Sequence, residues 1–431
     1  MKTVLPRPAP HPPSLEKHRS EISRCVRCGA CRAVCPGFLV EREESLSARG
    51  RMALVEAVMN GRLQISDIFQ DRLAACTGCL ACESACPSSV PVTEVIQAAK
   101  EEAVRRCGSG IIARALSATL KNTAALRSLA WLTPLLLRYA GSSFPLEEAS
   151  VRASAADSPA PVRGAGPDAS GRKRGTVAFF PGCAVSYYQP DIGRALIAVL
   201  DRLGFDVLVL RGQKCCGRPL LSLGDRAGAE ECAAQNNALF SNLKVDAIVT
   251  ACASCGLTFK KEYPTLLAPS GRRAVPVVDI HEFLADRIGA AALRPADMRI
   301  TYHDPCHLGR GQGLSGAARR ILRSIPGLTL VEMNHADRCC GFGGVMRIGR
   351  WGLFNSIGDA KAADIISTGA SAVVTGCPGC RMQIIDALRR AGSGALVLHT
   401  VQVLEKALPQ DRRCAMQAAE KQESCILDHA S

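Results

Sequence analysis

Twenty-two cysteines are spread over 431 residues, and eighteen of them obey two spacing rules. The first rule is Cys25-x2-Cys28-x2-Cys31-x3-Cys35-Pro36, written again as Cys76-x2-Cys79-x2-Cys82-x3-Cys86-Pro87. The second combines Cys183, the pair Cys215-Cys216 ahead of Gly217, and Cys252-x2-Cys255. It returns as Cys306, Cys339-Cys340 ahead of Gly341, and Cys377-x2-Cys380, offset by 123 to 125 residues. Thiolates are soft ligands, and at these spacings their chemistry is the binding of iron–sulfur clusters or zinc.

In the first rule the x2 spacings wrap three thiolates around one face of a 4Fe–4S cluster. The fourth cysteine serves the other cluster, and the proline turns the chain away. Cys25, Cys28, Cys31 and Cys86 would then hold one cluster, and Cys76, Cys79, Cys82 and Cys35 the other. A zinc ribbon also uses Cys-x2-Cys pairs, but it explains neither the third cysteine nor the Cys-Pro endings. The second rule supplies five thiols per copy, one more than tetrahedral zinc or a cubane consumes. Adjacent cysteines fit one small ion poorly but can reach different irons of a larger cluster. Helix starts after Cys183, Cys255, Cys306 and Cys380 would offer N–H groups to sulfur. Spacing alone ends at a duplicated metal or cluster site.

The elements that must position these thiols change in character along the chain. Between Cys35 and Cys76, segments such as 51–59 carry apolar residues on a helical face, which predicts a helical module over 20–108. A helical connector (109–140) and a linker rich in Ser, Ala, Pro and Gly (141–175) follow. From Thr176, strands alternate with helices: 176–180, 192–203, 206–210, 227–243, 247–250 and 275–279. The second copy repeats the order at 298–302, 314–324, 328–332, 355–368, 372–375 and 395–398. That alternation predicts parallel α/β layers over 176–290 and 296–409, with a tail at 410–431. The fold class is therefore α+β multidomain, an α-helical two-cluster ferredoxin module ahead of two repeated α/β cysteine-rich domains. In both repeats the cysteines fall where strands end and helices begin, the place where open parallel sheets hold ligands.

Composition narrows the function classes. A hydrophobic content of 47% excludes a wholly disordered chain, while 4% aromatic content means cores of Ala, Val, Leu and Ile. Residues 1–20 show no apolar signal segment, and so many free thiols suit a reducing compartment, which places the protein in the cytoplasm. The apolar stretch 111–139 is broken by Arg114, Lys121, Arg127 and Arg138, so it reads as docking or core helices with at most peripheral membrane contact at the inner face. The formal net charge of +14 suits steering toward an acidic partner. No basic–aromatic interleaving points to nucleic acid.

Pro181-Gly-Cys183, Cys215-Cys-Gly217, Ala253-Ser-Cys255, His303-Asp-Pro-Cys306, Cys339-Cys-Gly341 and Cys377-Pro-Gly-Cys380 resemble the cysteine-rich CCG domains of the superfamily related to heterodisulfide reductase. The order of modules resembles the glycolate oxidase iron–sulfur subunit most, and Ser47-Ala-Arg-Gly-Arg51 adds to that likeness. The resemblance implies an electron conduit with two 4Fe–4S clusters in the ferredoxin module. An FAD-linked oxidase subunit that oxidises glycolate or D-lactate would be its partner, and a quinone or other acceptor would take the electrons. It further implies that Cys183, Cys215, Cys216, Cys252 and Cys255, and Cys306, Cys339, Cys340, Cys377 and Cys380, bind one or two further non-cubane clusters. Many glycolate oxidase relatives have a degenerate copy, and both copies here are complete. The alternative, a heterodisulfide-reductase-like catalytic subunit, stays open.

Other signals carry less. Gly311-Gln-Gly313-Leu-Ser-Gly316 matches a dinucleotide fingerprint, but its glycines begin eight residues after His303 instead of at the strand–helix turn. The chain therefore carries no flavin of its own and would borrow a hydride acceptor. His303 and His307 correspond to Phe180 and Ala184 and read as ordinary hydrogen-bonded histidines. Gly341-Phe-Gly-Gly344 reads as a tight turn beside a cluster, and Cys107, Cys232, Cys414 and Cys425 as free thiols.

Overall fold

Short runs of β-branched and aliphatic residues set the strands of the C-terminal two-thirds of the chain. The computed structural model describes residues 13–129, 174–267, 275–290, 293–344 and 349–409. The linker, the end of the apolar stretch, Cys414 and Cys425 lie outside them. Strands β1 (Gly175–Phe179), β2 (Phe205–Val209), β3 (Ala247–Thr250) and β4 (Val277–Asp279) form one parallel sheet in the order β2-β1-β3-β4. Strands β5 (Met298–His303), β6 (Leu328–Val331), β7 (Ala372–Thr375) and β8 (Leu396–His399) form a second in the order β6-β5-β7-β8. The two are copies down to register, with Thr250 opposite Asp279 and Thr375 opposite His399.

Parallel strands require crossover helices, and those helices fuse the repeats. Helix Pro190–Arg202 of the first copy packs against Thr400–Ala407 of the second, and Ile280–Ala285 packs against Ser315–Arg323. Leu196, Leu200, Leu322 and Leu404 are completely buried in this shared core. Each such side chain contributes about 1.5–3 kcal/mol by leaving water. One glycine of the discounted fingerprint serves a contact between the repeats. A Cβ on Gly311 would lie 2.8 Å from Leu257 Cδ2, so glycine lets helix Cys306–Gln312 approach helix Ala253–Leu257 closely.

The N-terminal module is helical, with no strand among its described residues. Ser47 caps helix Ala48–Met59 by accepting the Gly50 N–H at 2.9 Å, and Ser66 caps Asp67–Ala74 through the Phe69 N–H at 3.3 Å. Cys35 is itself the N-cap of Pro36–Glu41, where proline is preset for the first helical turn. Helix Val92–Cys107 lies against Arg218–Leu223 of the first repeat, and a Cβ on Gly224 would stand 2.7 Å from the Lys100 carbonyl oxygen. Within the connector, helix Ile111–Lys121 docks on the same repeat and buries Leu120. Among the described residues no helix is long and apolar enough to cross a membrane.

Candidate iron–sulfur centres

In the helical module, backbone strain marks where the thiols are gathered. Arg27 and Leu80, inside the two Cys-x2-Cys loops, take positive φ of 55° and 64°. One small cavity is walled by Cys25, Cys28, Cys31 and Cys86, and a second by Cys35, Cys76, Cys79 and Cys82, with Cys82 reaching the first as well. Cys28 is exposed and Val26 beside it is 69% exposed, whereas Cys35, Cys79 and Cys82 are buried. Arg51, only 2% exposed, joins the wall of the second cavity and holds the Arg72 carbonyl through its Nε at 2.7 Å. The helix that Ser47 caps thus delivers a buried guanidinium beside Cys35.

Each repeat gathers its five cysteines at the carboxyl ends of its strands. In the first, thiol-to-thiol contacts run from Cys183 to Cys215, Cys216, Cys255 and Cys252 in turn. In the second, the same order is Cys306, Cys339, Cys340, Cys380 and Cys377. Cys252 and Cys377 touch each other across the pseudo-symmetric interface. At the opposite end, Cys339 bonds to Cys79 of the helical module and packs with Ala81. The helices here begin one cysteine earlier than the spacing suggests. Cys252 and Cys377 are the N-caps, so Cys255 and Cys380 lie within the first turn.

Glycine makes the junction with the helical module possible. A Cβ at Gly343 would fall 2.1 Å from the Thr77 carbonyl oxygen, and one at Gly344 2.3 Å from that of Cys76. The turn expected around Gly341–Gly344 therefore presses its backbone onto the loop that carries the second ferredoxin cysteine set. His307 ties three parts together: its Nδ1 meets Ser254 Oγ at 2.8 Å and its Nε2 meets the Gly78 carbonyl at 3.1 Å. Burial, with Arg218 nearby, drops its pKa to about 4, so the ring is neutral. His307 is thus the hydrogen-bonded histidine that the sequence suggests.

His303 is not. It is 1% exposed, and neither ring nitrogen makes a well-formed hydrogen bond, although the Ala336 carbonyl lies beside the ring. Its ring lies with the Cys340 and Cys380 thiols, one donor atom from each falling within 4.8 Å of the others. Burial and the nearby Lys361 lower its pKa to about 3. Lys361, also 1% exposed, contacts the His335 carbonyl and places Nζ 3.6 Å from Met333 Sδ and 3.4 Å from Asp364 Oδ2. Sequence reasoning passed over Lys361 and the distinct position of His303, and used Arg51 only as part of a family likeness. The one available signal was the mismatch of His303 with Phe180 and of Lys361 with Asn236 between repeats.

The donor sets fit iron–sulfur clusters. Hydrogen bonds from neighbouring thiols, followed by burial, push the Cys255 and Cys380 thiols well up, and burial, with the neighbouring Cys79 and Cys76, does so for Cys82. Several buried thiolates side by side would each cost several kcal/mol without a counter-charge, and bound iron supplies one. Cys232, equally buried, belongs to neither set, and its pKa is pushed up to about 12 by burial. Cys107 is exposed and contacts the Ile65 carbonyl.

A helical dicluster module in front of two parallel-sheet cysteine-rich domains defines a class of electron-transfer proteins. Comparison with known families agrees: residues 21–90 match the 4Fe-4S dicluster domain, and residues 177–260 and 300–385 match the CCG cysteine-rich domain. An uncharacterised iron–sulfur protein of Methanocaldococcus jannaschii is 31% identical over 88% of this chain and 70% of its own length. This chain belongs to that family of iron–sulfur proteins. It is also 42% identical, over 54% of its length, to a subunit of the CoM/CoB fumarate reductase of Methanothermobacter marburgensis, spanning 47% of that relative. The glycolate oxidase iron–sulfur subunit of Escherichia coli is 27% identical over 91% of this chain and 95% of its own. Among solved structures, a hypothetical protein from Helicobacter pylori shares the fold, with a TM-score of 0.55 at 11% identity over 93% of this chain and 77% of that one.

Proposed function

We propose that the chain is the iron–sulfur subunit of a flavin-dependent 2-hydroxyacid oxidase or dehydrogenase acting on glycolate or D-lactate. An FAD-linked partner subunit would reduce it, and it would pass electrons on to a quinone or another acceptor, in the cytoplasm or at the inner face of the membrane. The ferredoxin cysteines would hold two 4Fe–4S clusters and the ten CCG cysteines up to two more, whose chemistry when bound is one-electron transfer. The carrying observation is the unbroken line of thiols from Cys79 through Cys339 and across the Cys377–Cys252 contact to Cys183. Exposed Cys28 gives that line an accessible end, and His307, Gly343 and Gly344 hold its segments in fixed contact. Buried Leu and Phe side chains around the inner thiols exclude water. The near full-length likeness to a glycolate oxidase subunit supports the choice of partner.

The expected result is that protein purified alone fails to oxidise glycolate or D-lactate with an artificial dye. Mixed with its FAD-linked oxidase, it should be reduced by the hydroxyacid, and Cys79→Ser should interrupt onward transfer while leaving flavin reduction intact. A second reading, thiol–disulfide chemistry at the CCG sites, draws on the completeness of both repeats and the likeness to part of a CoM/CoB-dependent reductase. Rapid reduction of a heterodisulfide by the isolated chain, with no response to any hydroxyacid–flavoprotein pair, would establish that reading in place of the first.

A further inference from the structure

The two CCG sites share five thiols but differ in what meets them at the end of the first strand. In the first repeat this is Phe180, packed edge-on against Phe240 at 6.0 Å and Phe259 at 4.8 Å. In the second it is His303, and the positions of Phe240 and Phe259 are taken by Ile365 and Ile384, each 1% exposed. The aliphatic replacements offer the imidazole no polar partner. Leaving a buried ring nitrogen without a partner forfeits its hydration with nothing in return. Both nitrogens are so left, while Cys340 and Cys380 stand within ligand distance.

We infer that His303 is a ligand of the second CCG site, so that this site binds its iron through five thiols and one imidazole where the first uses thiols only. This rests on the cluster reading above. A neutral imidazole ligates through one nitrogen and needs an acceptor for the N–H on the other. The Ala336 carbonyl lies beside the ring, although it already takes the Asp304 N–H at 2.9 Å.

The test is pulsed EPR on reconstituted, reduced protein grown with ordinary or 15N-labelled histidine. A strongly coupled imidazole nitrogen should appear on the component that Cys340→Ser removes, and its coupling should scale with the isotope. It should survive His307→Gln and vanish in both His303→Asn and His303→Phe. The labelled natural protein gives an answer even where a variant folds poorly. Iron in the second site without strongly coupled nitrogen, or with a weak coupling only, overturns the ligand and leaves the cluster reading standing. A Cys340→Ser protein with the full iron content and spectrum overturns both.

Discussion

The two cysteine-rich repeats superpose in strand order, in register and in the sequence of thiol contacts, yet their surroundings diverge. Helix Arg226–Ser241 corresponds to Trp351–Ile366, which sets Asn236 against Lys361. Asn236 braces the Cys-Cys loop, accepting the Lys214 N–H at 2.8 Å and donating to the Cys215 carbonyl at 3.2 Å and the Tyr263 hydroxyl at 3.0 Å. Lys361 puts a buried positive charge near Cys340 at the same place. Duplication thus preserved the ligand geometry while the neighbours changed from neutral and aromatic to basic and aliphatic. Identical thiol sets need not give identical centres, because charge and dipoles around a cluster tune it.

The sharpest way to break this comparison is to remove one thiol from each repeat. Cys340→Ser should take away the second site's iron and, because Cys339 is the contact with Cys79, cut the first repeat off from the helical module. Cys216→Ser should remove only the first site's iron. Iron analysis, EPR and stopped-flow reduction would separate the two. If reduction of the first repeat's component is equally fast in Cys340→Ser, the line of thiols is not the route.

Much of this arrangement was legible from spacing. The cysteine groups, the repeat and the α/β alternation follow from local pattern, and strand positions agree to within one or two residues because β-branched runs end at turns. The direction of assembly was not legible. Nothing in the sequence says that the thiols of the second repeat, rather than those of the first, meet the ferredoxin loops. That is decided by close backbone approach at Gly343 and Gly344 over contacts more than 260 residues apart. Ligand helices were misplaced by one cysteine because a Cys N-cap carries no Ser/Asp-type signal. His303 was read as an ordinary histidine because its lack of partners is a property of burial, which spacing does not report.

A smaller effect tests the electrostatic half of the comparison. Lys361→Met keeps the volume and removes the charge, leaving Asp364 partly buried without its ammonium. Stability should fall by about 3 kcal/mol, the scale for breaking a buried pair from one side, read from the urea midpoint. The second site's potential should fall too, and the first site's should stay. A potential unchanged in both would mean that Lys361 serves packing alone.

The smallest expected effect lies where the repeats meet. His399 is fully buried, its Nε2 donates to the Ala251 carbonyl at 3.0 Å, and its Nδ1 accepts the Val401 N–H at 3.3 Å. Its counterpart in the first repeat is Asp279, which accepts the His281 N–H in the same capping role. Burial, with His281 at a ring distance of 5.7 Å, lowers the His399 pKa from 6.5 to about 3. The unfolded chain therefore takes up a proton that the folded state refuses. Stability is whole above about pH 6.5 and falls by up to about 1.4 kcal/mol per pH unit toward about pH 3. His399→Gln, which can still donate to Ala251, should lessen that slope by one proton's worth between pH 6 and 4 relative to the natural protein. Comparing slopes instead of absolute stabilities removes the contribution of His303 and His307, which both proteins retain. An identical slope in the two would show that His399 is protonated in the fold, and that Asp279 rather than burial governs the charge at this junction.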